Sequence, residues 1–185
     1  MIKLADILKE VEQESELDLS DLKKLPDLIG AELEKASEEQ NESIIGAAAL
    51  VLAVPGMLNA ISKVVQVIVK KSGIDLKKRN NPAWYKTLDT VTAKVDGYLD
   101  TPFKVMLRPF IQDQVKRDKT AKFLKAITLA SMAIMGAVDI SKLQSTASAI
   151  KDLAGQSGSE IIQAVGEHSI PKLTGVVKNF ITGLK

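Results

Sequence analysis

Cysteine is absent from this chain of 185 residues, and histidine occurs once. Without thiols there are no disulfides, thiolate metal sites, cysteine nucleophiles or iron–sulfur clusters, and one imidazole does not make a His-based metal centre. Aromatics are also sparse, with one Trp, two Tyr and four Phe. A β-sandwich usually draws on more aromatic and β-branched side chains, whereas Ala, Leu, Ile, Val and Lys are abundant here, so the class expected is all-α. The opening MIKLADILKEVEQE turns acidic within ten residues and lacks the basic start and small-residue cleavage site of a secretory signal. No cleaved export signal is expected.

Each part of the chain is short of one sign of charge. Residues 1–42 hold 13 acidic and 5 basic side chains, net −8, and residues 43–185 hold 10 and 20, net +10, which together return the overall +2. The expected organisation is an acidic helical arm over 1–42 and a basic helical body over 43–185. Opposite potentials of this kind steer association, either of the arm with the body or of the arm with a basic partner.

Helical periodicity runs through most of the sequence. Leu4, Ile7, Leu8 and Val11 predict a short amphipathic helix over 3–14. Ser20 or Asp21 is placed to cap a second helix, whose stripe is Leu22, Leu25, Ile29 and Leu33 and whose Pro26 must fall in the first turn. SEEQNES, residues 37–43, reads as a hinge. A long helix follows from about 43 to 71, bent at Pro55–Gly56, and then a basic turn in which Asn81 would cap a helix opening at Pro82. Trp84, Leu88, Val91, Val95 and Tyr98 recur in steps of four and three, the spacing of a helix–helix seam. Asp100-Thr101-Pro102 is expected to open a further helix, and Pro109 to split it near Arg108. Helices are also expected through 123–138, 139–154, around 161–165 and over 170–184, with GQSGS as a flexible joint between the second and third of these.

Residues 43–62, SIIGAAALVLAVPGMLNAIS, carry no charge over 20 positions. Twenty helical residues rise about 30 Å, enough for a bilayer core. Yet the run is rich in Ala and Gly, has Asn59 and Pro55–Gly56 within it, and lacks interfacial aromatics at its ends. The reading adopted is the buried, bent central helix of a multi-helix bundle. The alternative is a membrane-active protein, pore-forming or lysis-like, that inserts a hairpin of 44–69 and 123–138.

Sites of chemistry are hard to find. His168 stands beside Glu167, but neighbouring helical residues point in different directions and no nucleophile motif accompanies them. GQSGSE resembles a phosphate-cradling loop without the lysine or the preceding strand. Lys63, Lys70, Lys71, Lys77, Lys78 and Arg79 gather within 17 residues and Trp84–Tyr85 follow, but Trp84 belongs to the apolar seam, so nucleic acid is not the favoured partner. No catalytic, cofactor-binding or metal-binding residue is assigned. The sites carried forward are the seam Trp84, Leu88, Val91, Val95 and Tyr98 and the basic patch Lys70, Lys71, Lys77, Lys78 and Arg79.

The start MIKLADILKEVE resembles the openings of short virion-associated proteins of large tailed bacteriophages. The resemblance covers about a dozen residues, and it implies a structural or assembly role within a virus particle. Together these readings predict a non-enzymatic, all-helical interaction protein, free of cofactors, that joins protein partners in an oligomer or larger assembly inside a cell or virion.

Overall fold

The computed structural model describes residues 19–38, 47–75 and 82–184. Seven α-helices and three short 3-10 turns build these residues, with no strand among them, so the fold is an all-α multi-helix bundle. The expected helix over 3–14, most of the 37–43 hinge and the cap at Asn81 lie outside the described residues.

A 3-10 turn, Ser20–Lys24, runs straight into α1, Leu25–Glu38, with Pro26 in the first turn. Asp21 caps nothing. Its buried carboxylate instead accepts hydrogen bonds from Lys24 Nζ at 2.9 Å and Lys71 Nζ at 2.6 Å. Leu19, Leu22, Leu25, Ile29 and Leu33 are fully buried, and α1 lies along α2, Ala47–Ser72. The described part of the acidic segment thus packs onto the body. The outer face of α1 carries Asp27, Glu34 and Glu38 together with Leu28, Ala31 and Lys35, while its leucine stripe belongs to the common core.

In α2 the proline at 55 lies inside one continuous helix. Its missing N–H leaves the carbonyl of Val51 without the usual helical donor. Gly56 meets α1 closely, because a Cβ there would lie 2.1 Å from a carboxylate oxygen of Glu32. The helix is not buried all round. Leu52, Pro55, Asn59, Lys63, Gln66 and Lys70, spaced by three and four, form an outward stripe.

Helix α3, Pro82–Leu107, passes through Pro102 without a break, so the helix start expected at Asp100-Thr101-Pro102 is absent. A proline inside a helix costs about 3 kcal/mol. Here Leu99, Phe103 and Leu107 extend the buried stripe of Trp84, Leu88, Val91 and Val95, and burying three large side chains offsets that cost. The chain does turn at Pro109, where Phe110 and Ile111 both donate back to the carbonyl of Leu107.

The central position belongs to α4, Gln114–Met135, not to the helix of the uncharged run. It contacts α2, α3, α5 (Gln144–Ala154), α6 (Gly158–Gly166) and α7 (Ile170–Thr182). Between Thr120 and Ile134 every side chain except that of Lys122 is buried. Asp113 caps α4 by accepting from the Lys116 N–H at 2.9 Å. At the other end Ala137 adopts φ 48°, and Val138 N–H reaches back to Ala133 O at 3.2 Å, the reversal that ends many helices.

GQSGS is not a loose joint. Gly155, at φ 56°, opens a 3-10 turn that leads into α6, and Gly158 is so close to α5 that a Cβ would lie 2.8 Å from Lys151 Cα. Only hydrogen at this position lets the two backbones approach.

Candidate interaction surface

The seam residues Trp84, Leu88, Val91 and Val95 are buried, and Tyr98 is half-buried with Lys23 Nζ 5.3 Å from its ring centroid. Trp84 lies over Gly136 at the end of α4, and its indole Nε1 has no hydrogen-bond partner. Completely enclosed, this indole has no face to offer a base or a ligand. The seam is an internal joint between α3 and the rest of the core. Its continuation at Leu99, Phe103 and Leu107 was obscured in the sequence by Pro102.

Of the basic patch, Lys70 and Lys71 are exposed on the last turn of α2, while Lys77, Lys78 and Arg79 lie outside the described residues. Lys71 is engaged with Asp21. That carboxyl is held below the ordinary range by its hydrogen bonds to Lys71 and then Lys24, which outweigh the opposing effect of burial. This end of α2 is thus tied to the turn preceding α1.

The outward stripe of α2 is open to a partner. Leu52 is 49% exposed and Val67 41% exposed, and Lys63 and Lys70 are also on the outside. The opposite face, including Leu50, Val54, Met57, Ile61, Val65 and Ile68, is buried. A helix that looks apolar all round in sequence is thus amphipathic in place, with its small and branched residues inward and a mixed apolar and basic edge outward. By length and composition Ala49–Ser72 could cross a membrane, and half of its most apolar window is buried within the fold.

His168 carries no constellation. It sits exposed at φ 50° between α6 and α7, where Ser169 N–H returns to Ala164 O, and its role is to reverse the chain. Glu167 is ion-paired with Lys172, whose hydrogen bond is the largest of the effects that hold its carboxyl low. Among the described residues no three His, Asp or Glu side chains stand close enough to hold a metal.

The GQSGS turn lines a cleft of about 830 Å³ between α4, α5, α6 and α7. Lys119 and Lys122 line it together with Asp118, Asp152 and Glu160, and Leu153 and Phe180 form part of the apolar wall. Phe180 is stacked on Phe123 with centroids 3.7 Å apart, and Lys119 lies 5.9 Å from the Phe180 ring. The opposed charges leave no net preference for an anion, so the phosphate-loop likeness of the sequence gains no supporting geometry. No family model, curated protein or solved structure matches the chain.

Proposed function

We propose that the chain is a non-enzymatic helical interaction protein that packs into a larger assembly through the outward stripe of α2. The observation that carries this reading is the pair Leu52 and Val67, large apolar side chains about half and two-fifths exposed on a helix whose remaining faces are used by the core. Isolated exposed apolar residues are common, but these two lie on one edge with Lys63 and Lys70, a composition suited to a partner that brings apolar contact and negative charge. The likeness of MIKLADILKEVE to virion-associated proteins supports placing that assembly in a phage particle.

A photo-crosslinking side chain at Leu52 of the full chain tests the reading in the cell that makes it. Discrete protein adducts at Leu52, with none at Val115 on α4, which is more exposed still, are expected. Equal labelling at both positions, or none at Leu52, overturns it.

The length and apolar character of Ala49–Ser72 favour one second reading, a membrane-active protein. On that reading the full chain pellets with membranes and resists a carbonate wash, and the crosslinks from Leu52 go to lipid.

A further inference from the structure

Lys125 lies in the middle of the central helix, where its neighbours in sequence are apolar, and its side chain is only 3% exposed. Its ammonium meets two carboxylates from α3, Asp96 Oδ1 at 2.5 Å and Asp100 Oδ1 at 2.9 Å. These acids are one helical turn apart, so together they cap a single cation. Asp96 is 76% exposed, which shows that the ammonium ends just beneath the surface with its stem in the core and the carboxylates as its lid. The cluster extends to Lys104, which bonds Asp100 Oδ2 at 3.0 Å and reaches Asp118 of α4 at 3.7 Å.

Among the described residues no other charge relieves Lys125. On the remaining helices against α4 the ionisable residues are all exposed: Lys63, Lys70 and Lys71 of α2, Lys151 and Asp152 of α5, Glu160 of α6, and Lys172 and Lys178 of α7. On α4 itself Lys116, Lys119 and Lys122 are exposed, Arg117 bonds the Ile111 carbonyl, and Asp118 is engaged by Lys104. Of α3, Lys86, Asp89 and Lys94 are exposed.

We infer that Asp96, Asp100 and Lys125 form an acid-released clamp between α3 and α4. At neutral pH the two carboxylates neutralise the shielded ammonium. When acid protonates Asp100 the shielded ammonium loses counter-charge, and a buried cation short of counter-charge is strongly disfavoured. The ammonium then gains water only if α3 lifts from α4 at this turn, which uncovers the apolar residues of the most buried helix. The direction of titration agrees. Burial opposes the charge of Asp100, but the hydrogen bonds from Lys125 and Lys104 outweigh it and hold its carboxyl below the ordinary range. Such a group contributes stability that is complete above its unfolded value of about 3.9 and is lost as pH falls through the folded value.

The experiment compares urea midpoints and binding of an apolar-surface dye for the full chain from pH 7 to pH 3. The variants are Lys125→Met, Asp96→Asn/Asp100→Asn and the triple substitution. Asp21, Asp139 and Glu167 also have lowered carboxyls and stay in every variant, so only differences in pH slope are read. Wild type is expected to lose more of its folded-to-unfolded ratio between pH 7 and pH 3 than Lys125→Met does. The Asn pair should be weakened already at pH 7, and adding Lys125→Met to it should restore stability, since no orphan cation remains. An unchanged pH slope in Lys125→Met overturns the clamp. Should that variant fail to fold, an unchanged slope in the Asn pair overturns it equally.

Discussion

Gly136 lies so close beneath the indole of Trp84 that a Cβ on residue 136 would sit 1.5 Å from Nε1 and 2.1 Å from Cδ1. The pair joins the first turn of α3 to the last turn of α4, and the indole fills the space that a side chain at 136 would need. Gly136→Ala forces one of two packed elements to move. Overpacking of this kind costs about 1–3 kcal/mol. Urea denaturation of a double-mutant cycle with Trp84→Phe checks the cause, because the smaller ring should recover most of the loss. An additive cycle would place the damage elsewhere.

The acidic N-terminal segment is expected to be indispensable over its described part. Ile29 has no exposed surface and belongs to the same buried cluster as Val65 and Leu88. Ile29→Ala should therefore cost about 2–5 kcal/mol, the range for large-to-small changes in a core. Removing residues 19–38 entirely should leave the remainder without a cooperative thermal transition by circular dichroism. A sharp transition in that truncated chain would show that α1 is an accessory to the fold.

Much of this architecture was legible in the residues. Trp84, Leu88, Val91 and Val95 announce their burial because steps of four and three have only one helical interpretation. Pro102 misled, since a local rule against interior proline was outweighed by the burial of Phe103 and Leu107 further along. The uncharged run also misled. Lack of charge does not say which face is covered, and the helix covered on all sides proved to be the one containing Lys125. That lysine gives no sign in sequence of its two partners, which lie 25 and 29 positions away. The outward stripe of α2 was equally hidden, because exposure is decided by the neighbouring helices and not by the helix itself.

Two chain reversals carry a cost that substitution can remove. Ala137 and His168 occupy the left-handed region at φ 48° and 50°, where a Cβ crowds the backbone. Neither residue is the glycine usually found there, so sequence gave no warning. Glycine at either site should stabilise the protein by up to about 1 kcal/mol, less what the added freedom of the unfolded chain takes back. His168→Gly is the cleaner test, because the imidazole is exposed and only its coulombic effect on Asp139 goes with it among the interactions described. A lower thermal midpoint for His168→Gly would mean that the side chain contributes more than the reversal costs.

Acid should also weaken the tie between the turn before α1 and the end of α2. The Asp21 carboxyl is lowered by Lys71 first and Lys24 second, and its side chain is 6% exposed. A carboxylate with a depressed folded value stabilises the protein fully above its unfolded value of about 3.9, and that contribution disappears as pH falls through the folded value. Asp21→Asn removes the titrating group while keeping its shape. The variant should be less stable than wild type at pH 7, and the two should converge as pH falls below about 4, because protonated aspartic acid and asparagine then present Lys71 with similarly neutral partners. Chemical denaturation of both proteins at pH 7, 5 and 3 measures the convergence. A constant gap across the three conditions would mean that Asp21 acts through shape and packing, and that its charge is irrelevant to holding α1 against α2.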